Sequence, residues 1–303
     1  MKKLLFVFTA TLALTCIFVV TSCGGDVSAS VENGVTVSAT SSIEGITGSR
    51  VFISGRTVGI WARWACDHEV TQDEYLHVMG NNPSRLSSSL GRENHPVDNV
   101  TWYNAIVYCN KRSLAEGLTP CYAIDGITNP DDWGTPSYSW NAVECNFSAN
   151  GYRLPTEAEW EYLARGGNTS NVGQTKYSGS DAIENVAWYD GNAYDVGEDD
   201  SNYGTHPVKQ KLPNALGLYD MSGNVYEWCW DWYGTIDTST PASGPSSGSE
   251  RILRGGSWYH FDSQCTVHYC NSAVPSYTCD ANNCYGRTFG GHFGFRVVRS
   301  CFD

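Results

Sequence analysis

Apolar residues recur at helical spacing in a few stretches of the chain, and the clearest of these follows Thr101. Trp, Ala, Ile and Cys occupy positions i, i+3, i+4 and i+7, a spacing that places them on one buried face of a helix. Thr101 belongs to a residue type that caps helix N-termini, and Gly117 follows the last periodic position. The pattern therefore predicts a helix between these two residues. Its buried positions are Trp102, Ala105, Ile106 and Cys109.

Two shorter helices are indicated by capping boxes, in which a Thr and a Glu three residues later bond to each other's backbone N–H groups. Thr71 and Glu74 predict a helix that ends at Gly80. Thr156 and Glu159 predict another helix, which ends at a Gly-Gly pair because glycine favours the backbone conformation that follows a helix.

Three acidic residues lie in the helix that begins at Thr156. Glu157, Glu159 and Glu161 are spaced i, i+2, and such residues do not face each other on a helix, so the spacing does not create a catalytic carboxylate pair. We expect a solvated, capped face for these carboxylates. Trp160 and Leu163 are expected on the buried side of this helix.

Strand-like patterns occur at 51–53, 251–254 and 293–298, where aromatic and β-branched residues suit a pleated, half-buried surface. The elements do not alternate in βαβ order, so a parallel sheet is not predicted. Between the last two strands, residues 259–292 have no sustained period of 2 or 3.6. Irregular segments with polar and aromatic residues often carry binding residues, although an ordinary long connection has the same pattern. We refer to residues 254–299 as the cassette.

The first 22 residues resemble a secretory signal peptide, because two lysines precede a long apolar run. Small residues then precede Cys23, as in a lipoprotein signal, and a Gly/Ser/Val-rich tether covers residues 23–48. We therefore predict export, lipidation at Cys23 and anchoring to a membrane, with display at the outer membrane and cell surface. A cleaved signal that leaves Cys23 free is the alternative.

The formal net charge of −13 is not offset by any run of Lys and Arg. This balance argues against nucleic acid or an anionic lipid surface as a partner. Residues 49–303 are sufficient for one large domain with its own core. Export permits disulfides in this domain, but the sequence does not define their pairing. A G-x-S-x-G match at 244–248 lacks the flanking strand and helix of a nucleophile elbow.

Several motifs, in matching order from about residue 51 to 299, resemble the formylglycine-generating enzyme (sulfatase-modifying factor) family. The longest are GYRLPTEAEWE at 151–161 and NALGLYDMSGNVYEW at 214–228. Shorter ones are EVT at 69–71, HPV at 95–97 and 206–208, VTW at 100–102, RGGS at 254–257 and GFR at 294–296. The resemblance implies an α+β fold of the C-type lectin type, with two main helices around a small, twisted, mostly antiparallel sheet and much irregular structure.

Enzymes of that family oxidise a substrate Cys by means of two active-site Cys residues that follow the Gly-Gly-Ser motif, five residues apart. The second position falls on Cys265 in this sequence, whereas the first falls on His260. The substitution removes half of the soft ligands that copper-dependent oxidation needs. We therefore expect no catalytic residues of this type. The alternative is an enzyme of the family, or a divergent relative such as a hydrolase that uses His260 or Cys265.

The resemblance also implies two structural calcium sites, built from carboxylate, amide and backbone carbonyl oxygens. The first would use Asp220, Gly223, Val225 and Glu227, and the second would use Asn185, Val186, Asp200 and Asn202. The second assignment requires a shift of one residue in the family spacing. Turn capping by Asp220 and Glu227 without a metal is the alternative for the first site.

The lipoprotein signal, the domain and the ending GFRVVRS together resemble the variable proteins of diversity-generating retroelements. In that group, template adenines are randomised so that AAY codons become NNY codons, which cannot encode Trp, Met, Lys, Glu or Gln. These five types number 38 in 303 residues, so about four are expected among residues 259–292, but only Gln264 occurs there. The depletion favours a diversified segment.

These features predict a surface-displayed lipoprotein that binds varied ligands, proteins or other surface molecules, through side chains of the cassette. Large aromatic side chains with polar tips suit this role. The candidate ligand-binding residues are Tyr259, His260, Phe261, Asp262, His268, Tyr269, Asn271, Tyr277, Asp280, Asn283, Tyr285, Phe289 and His292. Trp258 and Phe295 are expected to hold the scaffold. An envelope-maintenance lipoprotein without diversification is a further alternative.

Overall fold

The computed structural model describes residues 62, 64–85, 91–237, 239–277 and 292–300, together with the backbone of four strands at 17–22, 25–30, 50–53 and 56–59. The predictions for Cys23, Asp280, Asn283, Tyr285 and Phe289 lie outside these residues. No helix in the described part of the chain is long and apolar enough to cross a membrane.

Short helices and very short strands are joined by long irregular segments. The helices are α1 (Gln72–Met79), α2 (Trp102–Ala115) and α3 (Glu157–Ala164). The strands are β1 (Ile17–Ser22), β2 (Gly25–Ser30), β3 (Arg50–Ile53), β4 (Arg56–Gly59), β5 (Trp64–Ala65), β6 (Tyr122–Ala123), β7 (Glu144–Cys145), β8 (Tyr152–Arg153), β9 (Tyr226–Trp232), β10 (Arg251–Arg254), β11 (Cys270–Ala273), β12 (Phe293–Gly294) and β13 (Val298–Arg299). This balance agrees with the predicted α+β class and its large irregular content.

Two small sheets organise the domain. One has the strand order β11-β10-β9-β12 and is antiparallel except for the short parallel pair of β9 and β12. The other has the order β5-β13-β8 and is antiparallel. The cassette contributes β11 and β12 to the first sheet and β13 to the second, so it is tied into both.

β1 and β2 pair as an antiparallel hairpin in the unprocessed chain. β2 lies within the tether predicted at 23–48, and that assignment stays a prediction. β1 lies within the predicted signal peptide, so cleavage before Cys23 would remove the strand that β2 pairs with. Export and lipidation are processing events, and both stay predictions.

The helices begin at the capping residues that the sequence predicted, and α1 ends at its predicted glycine. Thr71 and Glu74 form the predicted capping box of α1, and Gly80 ends that helix with a left-handed φ of 75°. The side chain of Thr101 accepts a hydrogen bond from the Asn104 N–H at the start of α2. The second predicted capping box is formed at the start of α3. All three predicted helices are therefore confirmed.

The acidic side chains of α3 are buried, which corrects the prediction of a solvated face. Glu157, Glu159 and Glu161 are only 7%, 0% and 4% exposed. Glu159 forms an ion pair with Arg153 at 2.6 Å, and Glu161 forms one with Arg254 at 2.9 Å. A buried carboxylate needs such a partner. Both arginines belong to strands, so the helical pattern gave no sign of these pairs.

The apolar core lies on both sides of β9, because successive residues of a strand point to opposite faces. Trp228 packs in one cluster with α1 and α2, and Cys229 packs in another with the buried face of α3. Phe295 is fully buried, and its ring centroid lies 5.1 Å from that of Tyr108 in α2. Trp258 is 3% exposed. Phe295 and Trp258 are thus scaffold residues, as expected.

Cysteine pairing is partial in the portion of the chain that the structure covers. Cys66 is disulfide-bonded. Free thiols are carried by Cys109, Cys121, Cys145, Cys229, Cys265 and Cys270. Burial raises the pKa of all six thiols, which keeps them protonated and chemically inert at neutral pH.

Candidate ligand-binding surface

A glycine turn begins the cassette. Gly255 and Gly256 have φ angles of 94° and 77°, a region that residues with a Cβ rarely adopt. A Cβ on Gly256 would also lie 2.5 Å from the sulfur of Cys265. The turn directs Trp258 into the core, so the start of the cassette has little freedom to vary.

Arg254 holds the middle of the cassette by its backbone. The buried guanidinium donates hydrogen bonds to the carbonyl oxygens of Val267, His268 and Tyr269 at 2.8–3.1 Å. Glu161 of α3 pairs with the same guanidinium at 2.9 Å. The cassette atoms in these contacts are present in every residue. These hydrogen bonds support the path of the chain at 267–269 through backbone atoms alone, while Val267 and Tyr269 also pack against the core.

Backbone hydrogen bonds also hold the cassette at other points. They join Trp258 N to Asn224 O, Asp190 N to His260 O, Val267 N to Lys176 O, and Trp102 N to Pro275 O, at distances of 2.9–3.1 Å. The ladder between β10 and β11 adds four residue pairs. Main-chain contacts thus determine much of the course of the cassette.

His260 and His292 are buried, which corrects their prediction as exposed ligand-binding residues. They are 4% and 3% exposed, because both imidazoles pack against aromatic rings of the domain. His260 Nδ1 lies 2.5 Å from Ser257 Oγ, and Trp258 Nε1 donates to His292 Nδ1 at 3.0 Å. Burial lowers the pKa of His260 to about 4 and that of His292 to about 3. Both rings are therefore neutral at neutral pH and lie beneath the surface.

The other described candidates of the cassette reach the surface. Phe261 is 47% exposed, and His268 is exposed too. Half-exposed positions are Tyr259, Asp262, Tyr269, Asn271 and Tyr277. The predicted exposed face therefore exists in part, with aromatic and polar side chains on a fixed backbone.

Among the seven exposed or half-exposed cassette candidates, Asp262 forms an ion pair with Lys176, a residue outside the cassette. Its Oδ2 atom lies 3.1 Å from Lys176 Nζ and 3.0 Å from the hydroxyl of Tyr177. These two hydrogen bonds lower the pKa of the Asp262 carboxyl. An exposed ion pair of this kind adds little to stability, so exchange of Asp262 should be tolerated.

Two tyrosines outside the cassette, which no sequence pattern indicated, extend this surface. The ring centroid of Tyr194 lies 4.2 Å from that of Tyr259, and the ring centroid of Tyr203 lies 5.1 Å from that of Trp258. Both tyrosines are half-exposed. No periodicity distinguishes them in the sequence, because their segment is irregular.

Tyr194 and Tyr203 are the ends of a turn-rich segment, residues 194–203, that we call the tyrosine loop. A hydrogen bond of 3.0 Å from the Gly204 N–H to the Ala193 carbonyl closes the loop. Its exposed carboxylates are those of Asp195, Glu198, Asp199 and Asp200. The surface thus combines aromatic rings from the cassette and the loop with a concentration of negative charge.

Comparison with solved structures and known families fits this architecture. The structure of Treponema denticola variable protein 1 is similar, with a TM-score of 0.67 and 33% identity over 88% of this chain and 98% of that one. The sulfatase-modifying factor enzyme 1-like domain matches residues 35–301. The chain belongs to this family. The fold is therefore the C-type lectin variant of the sulfatase-modifying factor family.

Other members and structures of the sulfatase-modifying factor type match less uniformly. The chaperone protein LppX of Paenibacillus barcinonensis is 42% identical over 247 residues, which cover 77% of this chain and 78% of LppX. The formylglycine-generating enzyme of Streptomyces coelicolor is 33% identical over 70% of this chain, but the match spans only 55% of that enzyme. The crystal structure of CarF is similar with a TM-score of 0.62 and 25% identity, over 86% of this chain and 98% of CarF.

Cys265 lies at the second thiol position of the sulfatase-modifying factor motif, and it is fully buried. Burial raises the pKa of its thiol far above the usual range, although the backbone N–H groups of Ser257 and Gly223 favour the thiolate slightly. The neutral imidazole of His260 stands at the other position. Neither group is presented to solvent as a nucleophile, because both are buried.

At the first calcium position expected from the family, the carboxylate oxygens of Asp220 and Glu227 differ in how available they are to bind a cation. Asp220 Oδ2 accepts a hydrogen bond from the Lys209 N–H at 2.7 Å, whereas its buried Oδ1 has no hydrogen-bond partner in the described region. Both oxygens of Glu227 are bonded to Arg296, at 2.6 and 2.7 Å, and one also accepts from Trp160 Nε1. Asp220 therefore fits a cation, whereas Glu227 would have to give up these bonds.

The remaining members of this first set are held by their backbones. The Val225 N–H donates to Glu69 Oε1 at 3.0 Å, and the Gly223 N–H donates to the Gly255 carbonyl at 2.8 Å. These bonds use the N–H groups of the two residues and not their carbonyl oxygens, which are the groups proposed as ligands. Calcium at this position stays a prediction.

The second calcium set is split between a short helical turn and the tyrosine loop. The Asn185 carbonyl accepts a hydrogen bond from the Leu212 N–H at 2.9 Å, and Val186 is buried next to it. Asp200 Oδ1 accepts from the Asn202 N–H at 2.8 Å, and both of these residues are exposed. Oxygen atoms of Asn185 and Asp200 thus already accept hydrogen bonds, and this site also stays a prediction.

One potential metal cluster in the described residues combines Cys66, Asp67 and His68. Cys66 is disulfide-bonded, so its sulfur is not available as a thiolate. His68 Nδ1 and Asp67 Oδ1 are 2.5 Å apart, and Lys209 Nζ lies 2.9 Å from the other oxygen of Asp67. The cluster is therefore an ion-pair network rather than a metal site.

Proposed function

We propose that the protein is an exported, lipid-anchored binding protein of the sulfatase-modifying factor family, whose cassette presents diversified side chains to a protein or another surface molecule. The observation that carries the proposal is the combination of exposed cassette side chains with a backbone held by Arg254 and by main-chain hydrogen bonds. Such support leaves side chains free to change, which a diversified binding surface requires. The similarity to Treponema denticola variable protein 1 supports the same function.

The exposed residues have the chemistry of a binding surface. Phe261, Tyr259 and Tyr269 offer large contact areas with few rotatable bonds, and His268 adds an adaptable polar group. Interface energy concentrates in a few aromatic anchors. These side chains should therefore carry most of the binding energy, whereas His260 and His292 should act only through packing.

Binding is tested by screening the full chain against an array of proteins and surface glycans. Hits are then compared between a Phe261→Ala/His268→Ala variant and a control variant, Tyr138→Ala/Val172→Ala. The control residues are 84% and 87% exposed and lie outside the cassette. Loss of binding in the first variant alone supports the proposal, and equal effects in the two variants contradict it.

Diversification is tested in the DNA. We expect a near-copy of the cassette, rich in AAC codons, beside the gene. We also expect variation among descendants of one cell to be confined to NNY codons for exposed cassette residues. Absence of both a nearby copy and clonal variation would contradict diversification. The protein would then be a binding lipoprotein with an invariant cassette.

Anchoring through Cys23 is part of the proposal. The full chain should incorporate a labelled fatty acid and partition with membranes, because more than one acyl chain gives stable attachment. A Cys23→Ser variant should lose both the label and the membrane association. Unchanged labelling in that variant would place the modification elsewhere.

We predict that the protein does not generate formylglycine. His260 stands at the first family Cys position, and Cys265 is buried with a raised pKa. Incubation with a sulfatase-type Cys peptide, copper and oxygen should leave the peptide unconverted when it is analysed by mass spectrometry. Conversion to the aldehyde at an enzymatic rate would support the enzyme alternative instead.

A second candidate function is that of an exported chaperone, favoured by the 42% identity to chaperone protein LppX. A chaperone must bind many unfolded chains through one invariant surface. The full protein would then suppress aggregation of an unrelated, chemically denatured client at stoichiometric amounts. A diversified binder should show no such general protection, so the aggregation assay separates the two functions.

A further inference from the structure

We propose that the tyrosine loop forms an invariant half of the ligand-binding surface and that it selects cationic side chains, those of lysine and arginine, on a basic peptide or protein. The inference rests on the proposed binding function and specifies the chemistry of the partner. The loop itself lies outside the cassette, so diversification of the cassette would leave the loop residues unchanged.

The aromatic part of this surface is built around Trp258. The rings of Tyr194 and Tyr203 lie 5.9 and 5.1 Å from the Trp258 ring, and Tyr259 lies 4.2 Å from Tyr194. The three tyrosines are half-exposed, whereas Trp258 is buried beneath them. Partly exposed aromatic rings, such as those of this aromatic platform, attract ammonium and guanidinium groups that approach within about 6 Å of a ring centroid.

The charged part lies between the two loop tyrosines. Its four exposed carboxylates are Asp195, Glu198, Asp199 and Asp200. Glu198 Oε1 lies 3.3 Å from the hydroxyl of Tyr203, so negative charge and the aromatic platform are in direct contact. A lysine or arginine side chain can therefore meet a ring face and a carboxylate at once, and the net charge of −13 attracts a basic partner from a distance.

Arg85 provides a test of the ligand charge that the aromatic platform prefers. It is exposed and lies near Tyr203 and His292. Burial is the main cause of the low pKa of His292, and the positive charge of Arg85 lowers it further. The same charge opposes a cationic ligand on the platform. Removal of Arg85 should therefore strengthen the binding of a basic peptide and weaken that of an acidic one.

The probe is a fluorescently labelled peptide of lysine and arginine, compared with a glutamate peptide and a neutral Ser/Gly peptide of equal length. Binding to the full chain is measured by fluorescence anisotropy at physiological salt in the presence of a chelator. The chelator matters because calcium at Asp200 would neutralise part of the loop. We expect the basic peptide alone to bind, and repeat measurements with calcium should give weaker binding.

Charge-neutral substitutions separate the platform from general electrostatic attraction. The Tyr194→Leu/Tyr203→Leu variant should bind the basic peptide roughly tenfold more weakly, since each lost cation–π contact costs about 0.5–1 kcal/mol at an exposed site. A matched control, Tyr138→Leu/Tyr233→Leu, changes exposed tyrosines elsewhere and should bind as the unchanged protein does. Circular dichroism and melting curves identify any variant that loses its fold.

Carboxylate substitutions complete the comparison. Asp195→Asn/Asp199→Asn should weaken binding, whereas Asp125→Asn/Glu144→Gln, a change of equal charge at exposed positions elsewhere, should not. Arg85→Ala should strengthen binding. Equal weakening by the two carboxylate pairs, no effect of the loop tyrosines, or no binding of the basic peptide would each overturn the inference.

The cassette variant Phe261→Ala/His268→Ala distinguishes a failure of the tyrosine-loop inference from a failure of the proposed cassette binding function. If that variant weakens peptide binding while the loop variants do not, the cassette binds ligand without help from the loop. If the loop variants alone weaken binding, the tyrosine loop is the site, and the cassette is not the ligand-binding face.

Discussion

His260 illustrates how burial changes the behaviour of single side chains in this protein. Its imidazole packs against Tyr226 with ring centroids 4.7 Å apart, and its Nδ1 atom contacts the Ser257 hydroxyl. A charged imidazole would lose water there without gaining a carboxylate partner, so the neutral form is favoured. The residue that looked like a surface ligand in the sequence is thus an internal support.

The neutral state of His260 has a pH signature. Its folded-state pKa of about 4 lies below the ordinary value of 6.5, so its stabilising contribution is complete above pH 6.5 and is lost as the pH falls towards 4. The free energy of unfolding should fall across this range with a slope of at most about 1.4 kcal/mol per pH unit from this group. In His260→Asn the slope should be smaller, as measured by urea unfolding at several pH values. An unchanged slope would show that His260 is charged or solvated in the folded protein.

Two phenylalanines of the cassette should differ in their effect on stability. Phe295 is fully buried and Phe261 is 47% exposed. Phe295→Ala should lower the free energy of unfolding by about 3–5 kcal/mol, the range for a large buried aromatic side chain. Phe261→Ala should change it by no more than about 0.5 kcal/mol. Similar losses in chemical unfolding would mean that the exposed face belongs to the core.

At the scale of elements, α3 shows which features can be predicted from local sequence. The Thr156–Glu159 capping box, a local pattern, placed the start of the helix correctly. The side chain of Glu159 also pairs with Arg153 and receives the Ala62 N–H at 2.6 Å. These partners are set by the tertiary fold, so the burial of the acidic face could not be inferred from helical spacing alone.

The capping box of α3 should be important for stability, because Thr156 is fully buried. Thr156→Ala removes the acceptor of the Glu159 N–H, and a lost N-cap costs about 1 kcal/mol, up to about 2 in a buried setting. Thermal and urea unfolding should both report this loss. The exposed Thr128→Ala change is a control, and an equal effect of the two substitutions would show that the cap contributes nothing.

At the scale of the whole molecule, motif order was more informative than periodicity. The motifs that resembled the sulfatase-modifying factor family led to the correct fold. The strands predicted at 51–53 and 251–254 are present, whereas the predicted strand at 293–298 is divided into two strands of two residues each. The exposed face was found in part, since Phe261 and His268 reach the surface. Tyr194 and Tyr203 were missed because their contacts with the cassette connect segments far apart in the sequence, and the irregular loop between them has no period.

Calcium, if it binds as the family resemblance implies, should stabilise the whole domain by binding only the folded state. Stabilisation should reach about 2.7 kcal/mol when free calcium is 100 times the dissociation constant. Melting curves with calcium and with a chelator measure this shift. Asp220→Asn and Asp200→Asn test the two positions separately, because each removes one carboxylate. Identical curves, with no metal found by elemental analysis, would rule out both sites.

The grip of Arg254 on three carbonyl oxygens has a consequence for protein engineering. Hydrogen bonds to backbone carbonyls do not depend on which side chains the residues carry. The segment that they support should therefore tolerate substitutions at its exposed positions. Libraries that randomise exposed positions around 261–274 while keeping Arg254, Glu161 and the glycine turn should retain a high fraction of folded clones. The domain would then serve as a display scaffold, in which selection acts on affinity rather than on the recovery of foldable sequences.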